Sequence, residues 1–347
     1  MSQAAEHPPI TPARIRLEAT TVCQLKCPSC PTAAGEIAHQ IGAGFLRYRD
    51  FQRLIDRYPW IYDIELSNWG ELFLNPDLLS IIKYAYQRDV ILRADNGVNM
   101  NTASQEQLEA LVKYHFRSLT CSIDGASQAT YQIYRRGGNF DRVIAHIKQM
   151  NSYKAKYRSR FPVLKWQFVP FGHNEHEIPT ARQLARELKM DFAVKLSWST
   201  TVSPVKNLPL VRKESGLGVA TREEYRTKYG TSYRRPICTQ LWSQPQLNWD
   251  GTVLGCCVNR WGDFGNAFTE GLVESLNGEK INYARQMLLG KKEGRADIPC
   301  TTCEFYQQMK SNGTWLQDDE VSRTSRLSRF RRIWMRAKRT LSSMVSG

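Results

Sequence analysis

The sequence predicts an α/β protein: a partial, TIM-like (β/α)6 barrel followed by a small cysteine-rich domain. Two observations carry this. Between residues 15 and 199, runs with strand periodicity alternate six times with helical runs, and five of the nine cysteines lie within residues 237–312. Six β–α units with short connections require parallel strands joined by right-handed crossovers. Six is short of the eight that close a full barrel, so the barrel is open, with its active face at the C-terminal ends of the strands.

The elements follow in order. Residues 1–14 are a polar, proline-containing lead-in. Residues 14–19 alternate apolar and polar side chains with period two and make the first strand. Further strands are expected at 63–67, 90–94, 118–123, 163–169 and 192–196, with helices near 48–58, 78–86, 105–114, 140–152 and 179–188. Residues 200–236 show no clear period and read as a linker. Residues 237–312 form the second domain, with a hairpin at 247–254 turning on Asp250-Gly251. Residues 313–347 are a basic tail.

Composition narrows the function classes. A chain of 347 residues with 41% hydrophobic and 23% charged residues is ordinary globular protein, long enough for one large and one small domain. No apolar run approaches the roughly 18 residues of a membrane span, and the N-terminus lacks a secretory pattern, which implies a cytoplasmic location. In a reducing compartment, closely spaced cysteines in an odd number point to metal ligation rather than disulfides. The net charge of +15 is concentrated: after Glu320 there is no acidic residue and there are eight basic ones. The body is therefore only mildly basic, and no nucleic-acid partner is expected. In the tail, Leu327, Phe330, Trp334, Ala337, Leu341 and Met344 make an apolar stripe on a helix. That stripe suits the inner surface of an anionic membrane, packing against the body, or docking of a partner.

Cys23, Cys27 and Cys30 form C-x3-C-x2-C directly after the first strand. Three thiolates on one tight loop hold three irons of a four-iron cluster and leave the fourth iron open. An open position is where metal catalysis happens. A zinc loop is the bland alternative. The string Cys23-Gln24-Leu25-Lys26-Cys27-Pro28-Ser29-Cys30-Pro31, placed after the first strand of a β/α series, resembles the radical S-adenosylmethionine (SAM) superfamily over residues 15–199. The resemblance implies a SAM-binding [4Fe-4S] cluster, reductive cleavage of SAM to a 5′-deoxyadenosyl radical, and abstraction of hydrogen from a substrate carbon. It implies an electron donor such as flavodoxin or ferredoxin.

Asn68-Trp69-Gly70-Glu71-Leu72 resembles the family's Gly-Gly-Glu-Pro stretch, with Trp69 and Leu72 as departures. There Gly70 lets the backbone approach the SAM amino group and Glu71 accepts from it. The resemblance also assigns Ser122 and Asp124 to SAM contacts, and Arg135, in Tyr134-Arg135-Arg136-Gly137-Gly138, to the SAM carboxylate. Strand alternation puts Ser122 and Asp124 on one face and Cys121 on the other, as a buried structural thiol. The aromatic that the family often places before the third cysteine, near the adenine, is Ser29 here.

Cys238, Gly251 and Cys256 form C-x12-G-x4-C, and Cys300 and Cys303 follow as C-x2-C. This resembles the SPASM auxiliary-cluster domain in its shortened, twitch form. The resemblance implies one auxiliary [4Fe-4S] cluster on Cys238, Cys256, Cys300 and Cys303, with no open iron. A four-cysteine zinc site has similar spacing. Cys257 reads as an alternative ligand to Cys256, as a catalytic thiol returning hydrogen to a substrate radical, or as a spare buried cysteine. The expected activity is that of an oxidoreductase-type radical SAM enzyme that dehydrogenates or epimerises a small-molecule or glycan substrate, namely a sugar, a cyclitol or a glycan. Only 22 residues precede Cys23, too few for a leader-peptide-binding domain, which tilts the expectation toward a small polar substrate. Radical modification of a peptide, and a non-catalytic zinc-binding protein, are the alternatives.

Overall fold

The computed structural model of the chain describes residues 9–233 and 235–321. The apolar stripe read over residues 327–344 lies outside them. The described chain forms two compact units. One comprises Glu18–Gln52 and Glu65–Arg235; the other comprises the residues up to Leu17, Arg53–Ile64, and those from Pro236 onward.

In chain order the early elements are β1 (Arg14–Leu17), α1 (Glu36–Ile41), α2 (Tyr48–Arg57), β2 (Asp63–Glu65) and α3 (Leu78–Gln87). They lead into β3 (Ile91–Val98), α4 (Gln105–Lys113), β4 (Ser118–Ser122), α5 (Gln128–Tyr134) and α6 (Phe140–Lys156). β5 (Val163–Phe168), α7 (Ile178–Glu187) and β6 (Asp191–Val194) complete the series. β3, β4, β5 and β6 are neighbours in chain order and all parallel, as β–α alternation requires. Ala94 pairs with Leu119, Leu119 with Leu164, and Trp166 with Phe192. Leu119, Cys121, Leu164, Trp166 and Phe168 are buried there; β4 is buried almost throughout, whereas β5 alternates buried and more exposed positions, so one of its faces is covered more fully than the other. Side-chain caps start the crossover helices: Ser104 with Gln107 as a capping box on α4, Ser127 on α5 and Asn139 on α6.

The register of β3 against β4 shifts between Ala94 and Val98, at the carboxyl end of β3. Gly97 there has φ +129°, and a Cβ on it would stand 2.4 Å from the Ser122 Oγ. Only glycine fits.

The stretch 200–236, expected as an irregular linker, contains two helices, α8 (Leu208–Glu214) and α9 (Arg222–Tyr229). Each has barely two turns, too few for a period to register, and α9 buries no residue. Their boundaries are set by capping, through Asn207, Thr221 and the left-handed Gly230 (φ 65°).

In the other unit, β1 pairs in parallel with β7 (Gln246–Leu247), and β7 pairs antiparallel with β8 (Val253–Gly255). The hairpin expected at 247–254 is present, with Gly251 at φ +89° against the ring of Phe268. α10 (Gln240–Ser243), α11 (Leu272–Asn277), α12 (Glu279–Leu288) and α13 (Glu304–Asn312) surround it. The buried Arg285 guanidinium donates to the carbonyls of Leu241 and Leu276, closing the ends of α10 and α11. Burial lowers its pKa to about 9. Among the described residues no helix is long and apolar enough to cross a membrane.

Candidate active site and second cysteine centre

The loop after β1 carries Cys23, Cys27 and Cys30 and is tied down at several points. The Thr20 and Thr21 hydroxyls donate to the carbonyls of Gly44 and Gly42. The Lys26 N–H donates to the Arg136 carbonyl, and the Cys30 N–H to the Cys27 carbonyl, at 2.9 and 3.0 Å. Cys27 is buried with Leu25, Tyr134, Val169 and Phe171, and Cys23 and Cys30 pack against that group. Burial pushes the Cys23 thiol up to about 12, with Glu71 and the other two cysteines adding to the effect. Burial also raises Cys27, opposed by the Arg135 guanidinium. None of the nine cysteines is in a disulfide.

Cys27 is buried and Cys23 and Cys30 are half-buried, and burial disfavours the thiolates of Cys23 and Cys27 unless a cation compensates them. Such a donor set fits iron of a cluster. Among the described residues no three His, Cys, Asp or Glu side chains converge on a point that one metal ion could occupy; a four-iron cluster binds its thiolates through different irons.

The loop after β2 lies directly on the cysteine loop. The Glu71 N–H donates to the Val22 carbonyl at 2.8 Å, and a Cβ on Gly70 would meet the Thr20 carbonyl oxygen at 2.0 Å. Glu18, buried at the end of the first strand, accepts from the Trp69 N–H at 3.1 Å and from the Gly70 N–H at 3.4 Å. Glu71 accepts from the backbone N–H groups of Asn99 (2.6 Å) and Phe73 (3.5 Å). Burial raises its carboxyl to about 7 against these hydrogen bonds. Asn99, at the end of β3, brings its Nδ2 to 3.7 Å from the Cys23 Sγ, and its Oδ1 accepts from the Gln24 side chain.

Asp124 has no exposed surface. Its Oδ2 accepts from the Arg135 Nε at 2.7 Å and its Oδ1 from the Val169 N–H at 2.8 Å. Arg135 in turn holds its Nη1 3.9 Å from the Cys27 Sγ. Ser122, in register with Gln167, keeps its Oγ 3.5 Å from the Gln167 Nε2. The structure therefore gathers Gly70, Glu71, Asp124 and Arg135 around the cysteine loop, with Ser122 beside Gly97 in the mouth. Glu18 and Asn99 belong to the same arrangement and were not singled out from sequence. Their signal was faint: an acidic residue following an alternating strand, and one of three asparagines within residues 96–101. Cys121 is fully buried in register with Trp166, as a structural thiol.

The second centre lies within the other unit. Cys238 precedes α10, Cys256 follows β8, Cys300 sits in a one-turn helix, and Cys303 caps α13. Burial pushes Cys256 up to about 12, with Cys257 and Cys303 adding and the backbone amides of Val258 and Asn259 opposing. Cys300 is held well above the usual thiol range by burial and by Cys256, Cys238 and Cys303. Burial raises Cys303 as well, opposed by the N–H groups of Phe305 and Tyr306 in the first turn of α13. These four half-buried cysteines have the donor chemistry of a saturated cluster. The Cys257 N–H donates to the Gln240 side chain at 2.8 Å.

Comparison with known proteins supplies the context. Residues 238–304 match the SPASM family, an iron–sulfur cluster-binding domain. The AdoMet-dependent heme synthase of Methanosarcina barkeri is 28% identical over 179 residues, 51% of this chain and 48% of that protein. The match thus spans about half the length of this curated relative. The structure resembles Streptococcus suis SuiB bound to S-adenosylmethionine, with a TM-score of 0.59 at 14% identity, over 85% of this chain and 71% of that one. It also resembles BtrN in complex with AdoMet and 2-DOIA, with a TM-score of 0.50 at 13% identity, over 86% of this chain and 94% of that one.

Proposed function

We propose that this chain, a radical SAM enzyme carrying a SPASM domain, removes hydrogen from a carbon of a small polyhydroxylated substrate, ending in dehydrogenation or epimerisation of a sugar, cyclitol or glycan. Cys23, Cys27 and Cys30 would hold the SAM-binding [4Fe-4S] cluster, and Cys238, Cys256, Cys300 and Cys303 the auxiliary one. When bound, cluster and SAM together supply a carbon-centred radical strong enough to take hydrogen from unactivated carbon.

The protein's own residues do the positioning. Asp124 fixes the Arg135 guanidinium beside Cys27, where it would hold the carboxylate of SAM. Gly70 lets the backbone after β2 approach closely, with Glu18 and Glu71 bracing that turn through backbone amides. Ser122 faces the mouth as a hydroxyl for the ribose. The auxiliary site, with four thiols, suits electron relay rather than SAM cleavage. A low-potential donor such as flavodoxin or ferredoxin would supply the first electron.

One observation supports the substrate class: amide and hydroxyl groups stand at the carboxyl ends of the strands, beside the charged pair of Asp124 and Arg135. Asn96 donates to Asn68, and Gln167 pairs with Ser122. Paired donors and acceptors of this kind match hydroxyl groups.

The test is anaerobic turnover of the reconstituted protein with SAM and dithionite, with 5′-deoxyadenosine as the readout. Candidate polyols are expected to stimulate its formation, with deuterium moving from substrate carbon into it, and Cys27→Ala to abolish it. Stimulation by a peptide alone would replace the substrate assignment with peptide modification. Zinc in place of iron, with no 5′-deoxyadenosine, would leave a non-catalytic zinc protein.

A further inference from the structure

We infer that the outer side of the cysteine loop, around Lys26 and Arg136, is the docking surface for a small acidic electron-carrier protein. The inference rests on the reading that Cys23, Cys27 and Cys30 hold the SAM-binding cluster, which this carrier would reduce.

The loop has two sides. Leu25 and Cys27 are buried and pack with Tyr134, Val169 and Phe171. Lys26 and Pro28, which alternate with them, are exposed. The Lys26 N–H donates to the Arg136 carbonyl at 2.9 Å, which lays the loop against the end of α5. The Ser29 and Tyr134 hydroxyls, 2.8 Å apart, join the same two segments a second time. At the end of α5 neighbouring residues divide in the same way. Arg135 turns inward, with its Nε on Asp124 and its Nη1 beside Cys27, whereas Arg136 is exposed. Ile133, one helical turn before Arg136, is 47% exposed.

The charge on this face has one sign. Residues 19–35 and 125–140, the stretches that meet here, contain Lys26, Arg135 and Arg136 and no acidic residue. Asp124 compensates Arg135. Among the described residues neither Lys26 nor Arg136 has an ion-pair partner. Two uncompensated cations beside exposed Pro28 and Ile133 suit a small, transient interface, with apolar contact inside a charged rim. Such a rim steers a partner of opposite charge. A carrier seated there would bring its redox group to the loop that holds the irons, since Lys26 and Pro28 flank Cys27 directly. One electron leaves the reduced carrier and enters the cluster; no bond or proton moves.

The experiment uses the full chain, reconstituted anaerobically, with a purified acidic flavodoxin as the probe. Wild type is compared with Lys26→Glu/Arg136→Glu and with the charge-conserving Lys26→Arg/Arg136→Lys. Lys83→Glu/Lys148→Glu is the control, making the same charge change at exposed positions of α3 and α6. The readouts are the dissociation constant of oxidised flavodoxin, the iron content, and 5′-deoxyadenosine formation driven by reduced flavodoxin or by dithionite. Charge reversal at Lys26 and Arg136 should weaken flavodoxin binding and slow the flavodoxin-driven reaction by about tenfold. Iron and the dithionite-driven reaction should be unchanged. The charge-conserving pair and the control should match wild type, and wild-type binding should weaken as salt is raised. Flavodoxin binding unaltered by the reversal, or weakened equally in the control, would overturn the inference. So would an equal fall in iron or in the dithionite-driven reaction, because the two residues would then act by holding the loop. Wild-type protein that forms no 5′-deoxyadenosine with dithionite would overturn the underlying cluster reading instead, and the inference with it.

Discussion

Replacing Gly70 with alanine tests how tightly the β2 loop is laid on the cysteine loop. The added Cβ would lie 2.0 Å from the Thr20 carbonyl oxygen, 2.6 Å from the Thr20 carbonyl carbon and 2.8 Å from the Val22 carbonyl oxygen. All three are backbone atoms, so no side chain can rotate away. An ordinary carbon–oxygen contact is about 3.4 Å, so one of the two loops must retreat by more than about 1 Å. Overpacking of this kind costs about 1–3 kcal/mol, and a clash limited to backbone belongs at the upper end. A loss of about 3 kcal/mol would lower Tm by roughly 6–12 °C for a domain of this size. The retreat also pulls on Val22, the neighbour of Cys23, so less iron should be incorporated on anaerobic reconstitution. The assay is thermal unfolding beside an iron and labile-sulfide count. Gly278→Ala is the control, since its nearest atoms lie 3.5 and 3.6 Å away and its φ is −64°. A Gly70→Ala protein with the Tm and iron content of the control would refute the close apposition.

Three further outcomes follow from the site. Arg135→Leu strands the buried Asp124 carboxylate and should cost about 3–5 kcal/mol in denaturant unfolding, part of which Asp124→Asn restores in the double variant; strictly additive losses would contradict the ion pair. Burial raises the Glu71 carboxyl from 4.5 to about 7, so the folded protein holds this proton more tightly than the unfolded chain does. The contribution is complete below the unfolded pKa and is lost as pH rises through about 7, a change of about 3 kcal/mol. Glu71→Gln should therefore flatten the decline of metal-free stability over that window, and an unaltered slope would count against it. Finally, Cys256→Ser should lower iron from about eight to about four per chain, whereas Cys257→Ser should leave it near eight; equal losses would show that the two cysteines are not distinguished.

The parts legible in the sequence were local or periodic. Alternation marked β1 and β4, the cysteine spacings marked both centres, and Asp250-Gly251 marked the hairpin. The parts that were not legible depend on contacts distant along the chain. Glu18 meets Trp69 and Gly70 only after folding, and Asn99 reaches Cys23 from the end of β3. The family resemblance assigned Glu71 and Asp124 to SAM contacts; in the structure their oxygens also accept from the amides of Asn99, Phe73 and Val169 and from Arg135, partners that only the fold brings to them. Helices of six to eight residues, such as α1, α8 and α9, likewise depend on caps and packing more than on a repeat.

The pairing of β1 with β7 has a consequence for any shortened chain. Arg16 and Leu17 lie in register with Gln246 and Leu247, and the Arg16 N–H donates to the Pro245 carbonyl. β7 is two residues long and β8 three, so the sheet ends on short strands that give another chain little to pair with. A polypeptide stopping at residue 235 would keep β1 but lose this cover, leaving a strand with the buried Ile15 and Leu17 and an open row of backbone donors and acceptors. Such an edge recruits copies of itself, so the C-terminal region would guard against aggregation whether or not it holds iron.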